Sequence, residues 1–328
     1  MLRDKFGRDI HDLRISVTDR CNFRCVYCKA ADPKNYHPHR DLLDWDEFER
    51  VVRVLADLGI RKVRVTGGEP LLREGVVDFI ARLRRIEGLK DIAVTTNGFL
   101  LAEQARALVA AGLDRVNVSL DSVDPAKFAR ITRTPASYGK VMAGIEAASE
   151  AGLAPVKVNI VLVRGFNDDE IVEFARLARE RDVIVRFIEF MPLDADHAWS
   201  REQVVTAREI VEKIHPVFPL EEIPRRSPSE TALRYRFADG RGELGIVAPV
   251  SIPFCGQCSR LRLTADGKVR TCLFSLREHD VRHLVRNGAS DADLARFFER
   301  LVHHKEPGHK INEPDFVQPK RTMVYIGG

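Results

Sequence analysis

Six cysteines fall into two groups of three, Cys21/Cys25/Cys28 and Cys255/Cys258/Cys272, and none is left over. The first group is spaced C-x3-C-x2-C and the second C-x2-C-x13-C. Thiolates are soft ligands that suit zinc, copper(I) and iron–sulfur clusters. A structural zinc closes with four protein ligands, so each triad is one short. A four-iron cluster on three thiolates leaves one iron open to a small molecule. Zinc remains an alternative at both sites, with His11, His37 or His39 completing the first and His279 or His283 the second. Neither triad shows the paired C-x2-C and H-x3-H spacing usual for zinc. Two odd-numbered groups make a poor disulfide framework in a chain with no secretion signal.

The elements around the first triad alternate. Residues 13–19 read as a strand running into the cysteine loop, with β-branched residues at alternate positions. Residues 44–58 then carry Trp45, Phe48, Val51, Val52 and Leu55 at helical spacing. Strands over 62–66, 92–96, 115–120, 156–163 and 183–190 are interleaved with helices over 76–86, 102–111, 138–151 and 169–181. Six strands alternating with helices imply parallel pairing through right-handed crossovers. The fold class is α/β, and six units rather than eight predict an incomplete (β/α)6 TIM-type barrel. An open dinucleotide-binding sheet is the alternative, but the first βα loop lacks G-x-G-x-x-G. Barrels bind ligands at the C-terminal ends of their strands. Those ends carry Thr18/Asp19, Gly67/Gly68/Glu69, Thr95/Thr96/Asn97, Ser119/Asp121 and Glu189/Met191.

Residues 1–215 form the expected barrel. After a helix over 207–214, the Pro-rich stretch 216–228 reads as a boundary. The smaller region 216–328 shows no βα repeat and is expected to bind the second cluster. Within it, two short strands around Ala265-Asp266-Gly267 predict a hairpin that returns Cys272 beside Cys255 and Cys258.

Seven cations sit at strand positions otherwise rich in Val, Ile and Leu: Arg14, Lys62, Arg64, Lys157, Arg186, Arg260 and Arg262. Arg260 and Arg262 alternate with leucines and so share one face. Cations inside a barrel are costly unless an anion meets them, and the guanidinium fork binds phosphate oxygens bidentately. The substrate class is therefore a polyanion, most simply a nucleotide phosphate; the alternative is that some of the seven point to solvent. Gly67-Gly68-Glu69-Pro70 follows a strand directly, where glycines let a ligand approach the backbone; an ordinary βα turn is the alternative. The 328 residues are 45% hydrophobic and 30% charged, as in soluble globular proteins. A net charge of +4 gives no bulk electrostatic reason for a nucleic-acid polymer or membrane partner. A polar start and no membrane-length apolar run give a cytoplasmic expectation.

C-x3-C-x2-C after a first strand, an aromatic Tyr27 before the third cysteine, and GGEP together resemble the radical S-adenosylmethionine (SAM) superfamily. Across nearly the whole chain, DLRISVTDRCNFRCVYC, KVRVTGGEPLLR, TTNG, RVNVSLDS, KVNIVLVRGFND, RFIEFMP, CGQCSRLRLTADGKVRTCLF and the terminal Gly327-Gly328 resemble the GTP 3′,8-cyclases of molybdenum cofactor biosynthesis. The resemblance implies a radical SAM lyase with two [4Fe-4S] clusters, one on Cys21, Cys25 and Cys28 and one on Cys255, Cys258 and Cys272. In that family the first cluster cleaves SAM to a 5′-deoxyadenosyl radical, which removes the ribose 3′ hydrogen of GTP. The carbon radical attacks guanine C8, giving (8S)-3′,8-cyclo-7,8-dihydroguanosine 5′-triphosphate, while the second cluster holds the base. By the same resemblance Arg14, Arg64, Thr95, Lys157, Arg260 and Arg262 contact GTP, with Arg14, Arg260 and Arg262 counted as catalytic and Arg186 near the phosphates. Tyr27, Gly68, Ser119 and Met191 contact SAM. The terminal glycines resemble a tail that threads into the active site, against a frayed end. Implied partners are a low-potential electron donor (flavodoxin or ferredoxin), a second copy in a homodimer, and a downstream cyclic pyranopterin monophosphate synthase. One stretch departs from the family: Lys29-Ala30-Ala31-Asp32-Pro33-Lys34 stands where Met-Pro-Glu-Glu is usual. A radical SAM peptide maturase usually carries more cysteines and no Arg260/Arg262 pair; a zinc-stabilised binding protein is the rival without activity.

Overall fold

Alternation along the strands sets the architecture. In β1 (Asp12–Ser16) Leu13 and Ile15 are buried while Asp12 and Arg14 face the other way. β2 (Lys62–Thr66) repeats the pattern with Val63 and Val65 against Lys62 and Arg64. The apolar faces need a covering layer, supplied by α1 (Trp45–Asp57), α2 (Val76–Arg84) and, after β3 (Asp91–Thr96), α3 (Leu101–Ala110). Next come β4 (Arg115–Ser119), α4 (Pro125–Thr132), α5 (Tyr138–Ala148), β5 (Val156–Leu162), α6 (Ile171–Glu180), β6 (Val183–Glu189) and α7 (Ala207–Ile214). α1 starts where expected because Asp44 and Glu47 form a reciprocal capping box at 2.8 Å each way. Phe48, Val51, Val52 and Leu55 form its buried stripe.

The computed structural model describes residues 1–30 and 36–327. Residues 31–34 of the departing stretch and Gly328 lie outside the described residues. The remaining elements are β7 (Leu220–Ile223), β8 (Ala232–Phe237), β9 (Glu243–Val247), β10 (Arg260–Leu263), β11 (Lys268–Arg270), β12 (His279–Asp280), α8 (Val281–Arg286), α9 (Asp291–His303) and α10 (Met323–Ile326). All twelve strands share one sheet, ordered β12-β11-β10-β1-β2-β3-β4-β5-β6-β9-β8-β7. From β10 to β9 every neighbouring pair is parallel. The two edges, β12 and β7, do not pair with each other, so the barrel stays incomplete.

Four expectations are corrected. β1 stops at Ser16 rather than residue 19, and the Arg73 guanidinium takes the Val17 carbonyl at 2.5 Å. An extra helix, α4, precedes α5, capped by Asp124, whose carboxylate accepts from the Ala126 and Lys127 amides. α5 ends at Ala148 and runs into a wider turn over Ser149–Leu153. The Pro-rich stretch carries β7, a short edge strand with Glu221 and Glu222 outward. With β8 and β9 it extends the barrel sheet, although proline and charge mask its alternation in the sequence.

Gly67 and Gly68 are needed by the chain itself. A Cβ on Gly68 would strike the Arg20 carbonyl, and one on Gly67 would lie 2.8 Å from the Thr18 carbonyl. The Gly68 amide donates to Thr18 O at 2.6 Å. The close approach these glycines allow therefore seats the β1 loop as well as offering a backbone edge to the chamber. Gly68→Ala is expected to lower stability by about 1–3 kcal/mol, read as a drop in the urea midpoint. Gly139→Ala, whose Cβ meets nothing within 4 Å, serves as the control; equal midpoints for the two variants would remove this account.

Candidate active site

Strand register places the cations in rows. Arg262, Arg14 and Arg64 are cross-strand partners on β10, β1 and β2. One step nearer the N-terminal end, Arg260, Asp12 and Lys62 form a second row. Residues of one row point to the same side of the sheet, so these side chains face inward together. Across the barrel, Arg186 on β6 lies opposite Gly245 of β9, where a Cβ would sit 3.1 Å from its Cγ.

A chamber of about 280 Å³ is lined by all six cysteines. Of the residues the sequence singled out, Tyr27, Gly68, Ser119, Met191, Arg14, Arg64, Thr95, Arg186, Arg260 and Arg262 also line it. Lys157 does not. It lines a second cavity of about 230 Å³ toward the N-terminal ends of the strands, with Lys62 and Arg115. Arg14, Arg64, Arg186, Arg260 and Thr231 belong to both walls, so the spaces adjoin. All seven strand cations line one of the two cavities.

The first triad sits beyond the C-terminal end of β1. The Lys29 ammonium, on a buried residue, donates to the Cys21 carbonyl at 3.3 Å and to Tyr36 Oη at 2.6 Å. Asn97 Nδ2 reaches Cys21 Sγ at 3.8 Å and Asn22 Oδ1 at 2.7 Å. Glu69 anchors the neighbouring loop, accepting from Leu71 N at 3.0 Å, Thr96 Oγ1 at 2.7 Å and Asn97 N at 2.7 Å. Burial raises its carboxyl to about 7 despite those bonds. The Tyr27 hydroxyl donates to Asp121 at 2.6 Å, and Asp121 also accepts from Val161 N at 2.8 Å. Tyr27 therefore offers the chamber its ring and backbone rather than a free hydroxyl.

The second triad lies at the other end of the barrel. Cys258 precedes β10, and Arg260 of β10 is level with Asp12 at the start of β1. Cys272 follows β11, the return strand of the expected hairpin. Gly267 makes its turn at φ 76°. Arg8 ties the N-terminal segment to this site: its guanidinium donates to the carbonyls of Cys255 and Pro307 at 2.8 Å and of Glu306 at 2.5 Å, and pairs with Asp4 at 2.6 Å. Lys305, 2% exposed, donates to the carbonyls of Arg260 at 3.0 Å and of Thr271.

The thiols fit electron-poor iron. Burial pushes Cys21 up to about 11, Cys28 up to about 12, and Cys25 and Cys272 upward; such groups ionise only against a cation. Burial also disfavours the Cys258 thiolate, but Arg260 and Lys305 bring it down to about 6. Among the described residues no group of three His, Cys, Asp or Glu closes around a single metal ion. A zinc ligand set must converge at about 2.0–2.3 Å. His11, His37, His39, His279 and His283 do not line the chamber; His37 instead lies 3.9 Å from Asp266 and His283 bonds Asn287. The chamber histidine is His309, its ring 5.3 Å from that of Phe274.

Arg8, Thr231, Lys305 and His309 are the site residues the sequence reading missed. They come from segments without periodicity; only the fold brings Thr231 and His309 to the cavity wall and Arg8 and Lys305 to the backbone around the second triad. The tail does arrive: Met323 and Val324 line the chamber, and the Arg262 guanidinium donates to the Gly327 carbonyl at 2.7 Å.

The radical SAM superfamily profile matches residues 15–178, and the profile described as Molybdenum Cofactor Synthesis C matches residues 183–311. The GTP 3′,8-cyclase of Thermodesulfovibrio yellowstonii is 45% identical over 332 positions, covering 100% of both chains. The chain belongs to the GTP 3′,8-cyclase family. That of Heliobacterium modesticaldum is 45% identical over 326 positions, covering 99% of each chain. Among solved structures, Streptococcus suis SuiB bound to S-adenosylmethionine superposes with a TM-score of 0.64 at 13% identity, covering 96% of this chain and 76% of that one. At that identity the likeness is one of fold. Members of this family use SAM and a [4Fe-4S] cluster and carry a second cluster in the C-terminal region; here all six cysteines are free thiols on the chamber wall.

Lys305 is a buried cation whose partners are carbonyls, beside thiolates that carry negative charge once a cluster is bound. It stabilises the loaded site and fixes the two strand ends that carry Cys258 and Cys272. Lys305→Met is expected to speed loss of iron from the second triad to a chelator by about ten- to a hundred-fold, the usual scale for supporting residues at metal sites. The first cluster's spectrum should be unchanged; equal chelation rates would deny Lys305 that role.

Proposed function

We propose that the protein is a GTP 3′,8-cyclase, a radical SAM lyase that converts GTP to (8S)-3′,8-cyclo-7,8-dihydroguanosine 5′-triphosphate in molybdenum cofactor biosynthesis. The observation that carries this reading is one chamber with a thiol triad at each end and a cation-lined cavity adjoining it. Cys21, Cys25 and Cys28 would hold one [4Fe-4S] cluster and Cys255, Cys258 and Cys272 the other. With SAM bound, the first supplies a one-electron reduction that releases a 5′-deoxyadenosyl radical. The chain's own residues supply position, charge balance and dryness.

Tyr27, Gly68, Ser119 and Met191 border the SAM end. Arg14, Arg64, Thr95, Arg186, Arg260 and Arg262 border GTP, with Lys157 and Lys62 below for the phosphates. Arg64 Nη1 and Asn117 Nδ2 both reach Thr95 Oγ1, at 3.4 and 3.2 Å, which orients that hydroxyl. Burial, then the neighbouring guanidinium groups, hold Arg14 and Arg262 well below arginine's ordinary range and Arg64 at about 9. Arginine does not give up its proton at working pH, so these directions register cations that lack an anion, and a triphosphate provides one. The product is an isomer of GTP: the hydrogen atom lost from C3′ is balanced by one electron and one proton after C3′ bonds C8.

Residues 1–215 serve as the SAM-cleaving unit and 216–328 as the auxiliary-cluster and substrate-closing unit. A flavodoxin or ferredoxin supplies the electron, the enzyme works as a homodimer in the cytoplasm, and a cyclic pyranopterin monophosphate synthase consumes the product. Among the described residues no helix is long and apolar enough to cross a membrane.

Anaerobic incubation of the reconstituted protein with GTP, SAM and dithionite is expected to give 5′-deoxyadenosine and a new species of GTP's mass. SAM cleavage without a GTP isomer would sink the substrate assignment. Arg260→Ala with Arg262→Ala is expected to lose the isomer while both clusters still assemble; full turnover would discard the hairpin as a substrate wall.

GTP binding should also take up protons. Burial, then Arg186 and its cationic neighbours, lower the Lys157 ammonium to about 8, so the free protein is part-deprotonated there at pH 8. A phosphate beside it raises that value, so affinity is full below pH ~8 and declines as pH rises through it. Calorimetry at pH 8 in buffers of different ionisation heat is expected to show uptake of about half a proton, absent in Lys157→Met. Equal apparent heats in wild type would contradict this.

A further inference from the structure

The loop that carries the first triad turns its thiols inward and Arg20 and Arg24 outward, while Lys29 is buried. Residues 20–30 contain Arg20, Arg24 and Lys29, and residues 129–145 contain Arg130, Arg133 and Lys140; neither stretch has an Asp or Glu. The fold sews the two together. The amides of Arg24 and Val26 donate to the carbonyls of Thr132 and Ile131 at 2.9 and 3.0 Å. The Arg133 guanidinium donates to the Lys29 carbonyl at 3.2 Å. The Lys140 ammonium lies 4.3 Å over the Phe99 ring, which meets Phe23, between Cys21 and Cys25, edge-on at 6.0 Å.

Arg24, Arg133 and Lys140 are exposed, and none is in an ion pair among the described residues. Several other surface arginines face carboxylates, among them Arg3 with Asp9, Arg164 with Glu209, Arg181 with Glu146 and Arg236 with Glu221. What marks this rim is that its unpaired cations are gathered on and around the loop that carries Cys21, Cys25 and Cys28.

We propose that this rim is the docking surface for the acidic face of a low-potential one-electron carrier protein. This rests on the radical SAM reading, since each turnover begins when the carrier is oxidised by one electron and the first cluster is reduced by one. Cys21, Cys25 and Cys28 line the inner chamber, so a protein-sized carrier would approach a cluster held there from the loop's outer face. There Arg24 is bonded in sequence to Cys25, and a partner touching it stands within a few residues of all three thiols. A small, charge-steered contact suits a carrier that must leave after one electron. The chain's net +4 gives little long-range pull, so the steering must be local.

The test uses the reconstituted two-cluster protein, Arg24→Glu with Lys140→Glu, and reduced flavodoxin as the probe. Reduction of the first cluster is followed by its absorbance at about 50 mM salt, where screening is weak. The double variant is expected to slow the flavodoxin reaction by about ten- to a hundred-fold and to flatten its salt dependence. The dithionite-driven rate of 5′-deoxyadenosine formation should match wild type. Equal flavodoxin rates overturn the proposal, as does parallel loss with dithionite, which would mean damage to the site. So does a rim that binds a single-stranded oligonucleotide in place of flavodoxin. Failure of wild type to isomerise GTP under dithionite would instead remove the substrate reading and leave the reduction measurement intact.

Discussion

Positive charge in excess of the few carboxylates that face it is the constraint on which the barrel interior depends. Arg262, Arg14 and Arg64 stand on three adjacent strands in one row, about 4.8 Å apart at the backbone. At an effective dielectric of about 20, each neighbouring pair of charges repels by on the order of 3 kcal/mol. Two such pairs approach the ~5–15 kcal/mol by which a domain is stable at all. Long side chains relieve part of this by spreading apart, and the Gly327 carbonyl takes one Arg262 N–H. The rest is left for an anion, so substrate binding and relief of internal repulsion are the same event.

The interior is used along its whole length. Barrel sites normally gather at the C-terminal ends of the strands, and the first triad obeys that rule. The second triad does not, because β10 enters the sheet parallel to β1 with Cys258 at its N-terminal side. Asp12–Ser16 spans about 13 Å at 3.3 Å per residue, with the arginine rows between the two ends. A nucleotide lying along the axis can thus meet different chemistry at each end. β9 and β10, both from the C-terminal region, take the outer parallel positions on either side of the six-strand core. The region that holds the second triad is therefore part of the wall, not a lid upon it.

Much of this could be read from residues alone, for physical reasons that also mark where reading stops. β2 and α7 begin and end where periodicity places them. Cysteine spacing and strand cations are local signals, and the hairpin at Asp266-Gly267 needs only its own turn residues. β7 to β9 were hidden because short edge strands carry charge and proline, which alternation cannot see. Lys305 and His309 were hidden for a different reason. Each belongs to an irregular segment, and its meaning comes from contacts with strands more than thirty residues away. The glycines of GGEP were read as serving a ligand, whereas carbonyls of the chain's own β1 loop occupy that space first.

The tail shows how tightly the two ends of the chain close this interior. Gly327 has a φ of 80°, and a Cβ there would strike Thr66 Oγ1 and lie 3.0 Å from Ser16 Cβ, so only glycine passes between β1 and β2 at that point. Its carbonyl meets Arg262, on the strand beside β1. Arg8, near the other terminus, holds the Cys255 and Pro307 carbonyls. Both contacts use guanidinium groups to satisfy backbone carbonyls that strand pairing leaves free. A radical generated inside must be kept from solvent, and these two arginines close the wall with hydrogen bonds that a hydrophobic plug could not supply. Because Arg262 has five N–H donors, holding the tail leaves others for substrate, so the residue that seals the chamber also helps to read what is in it.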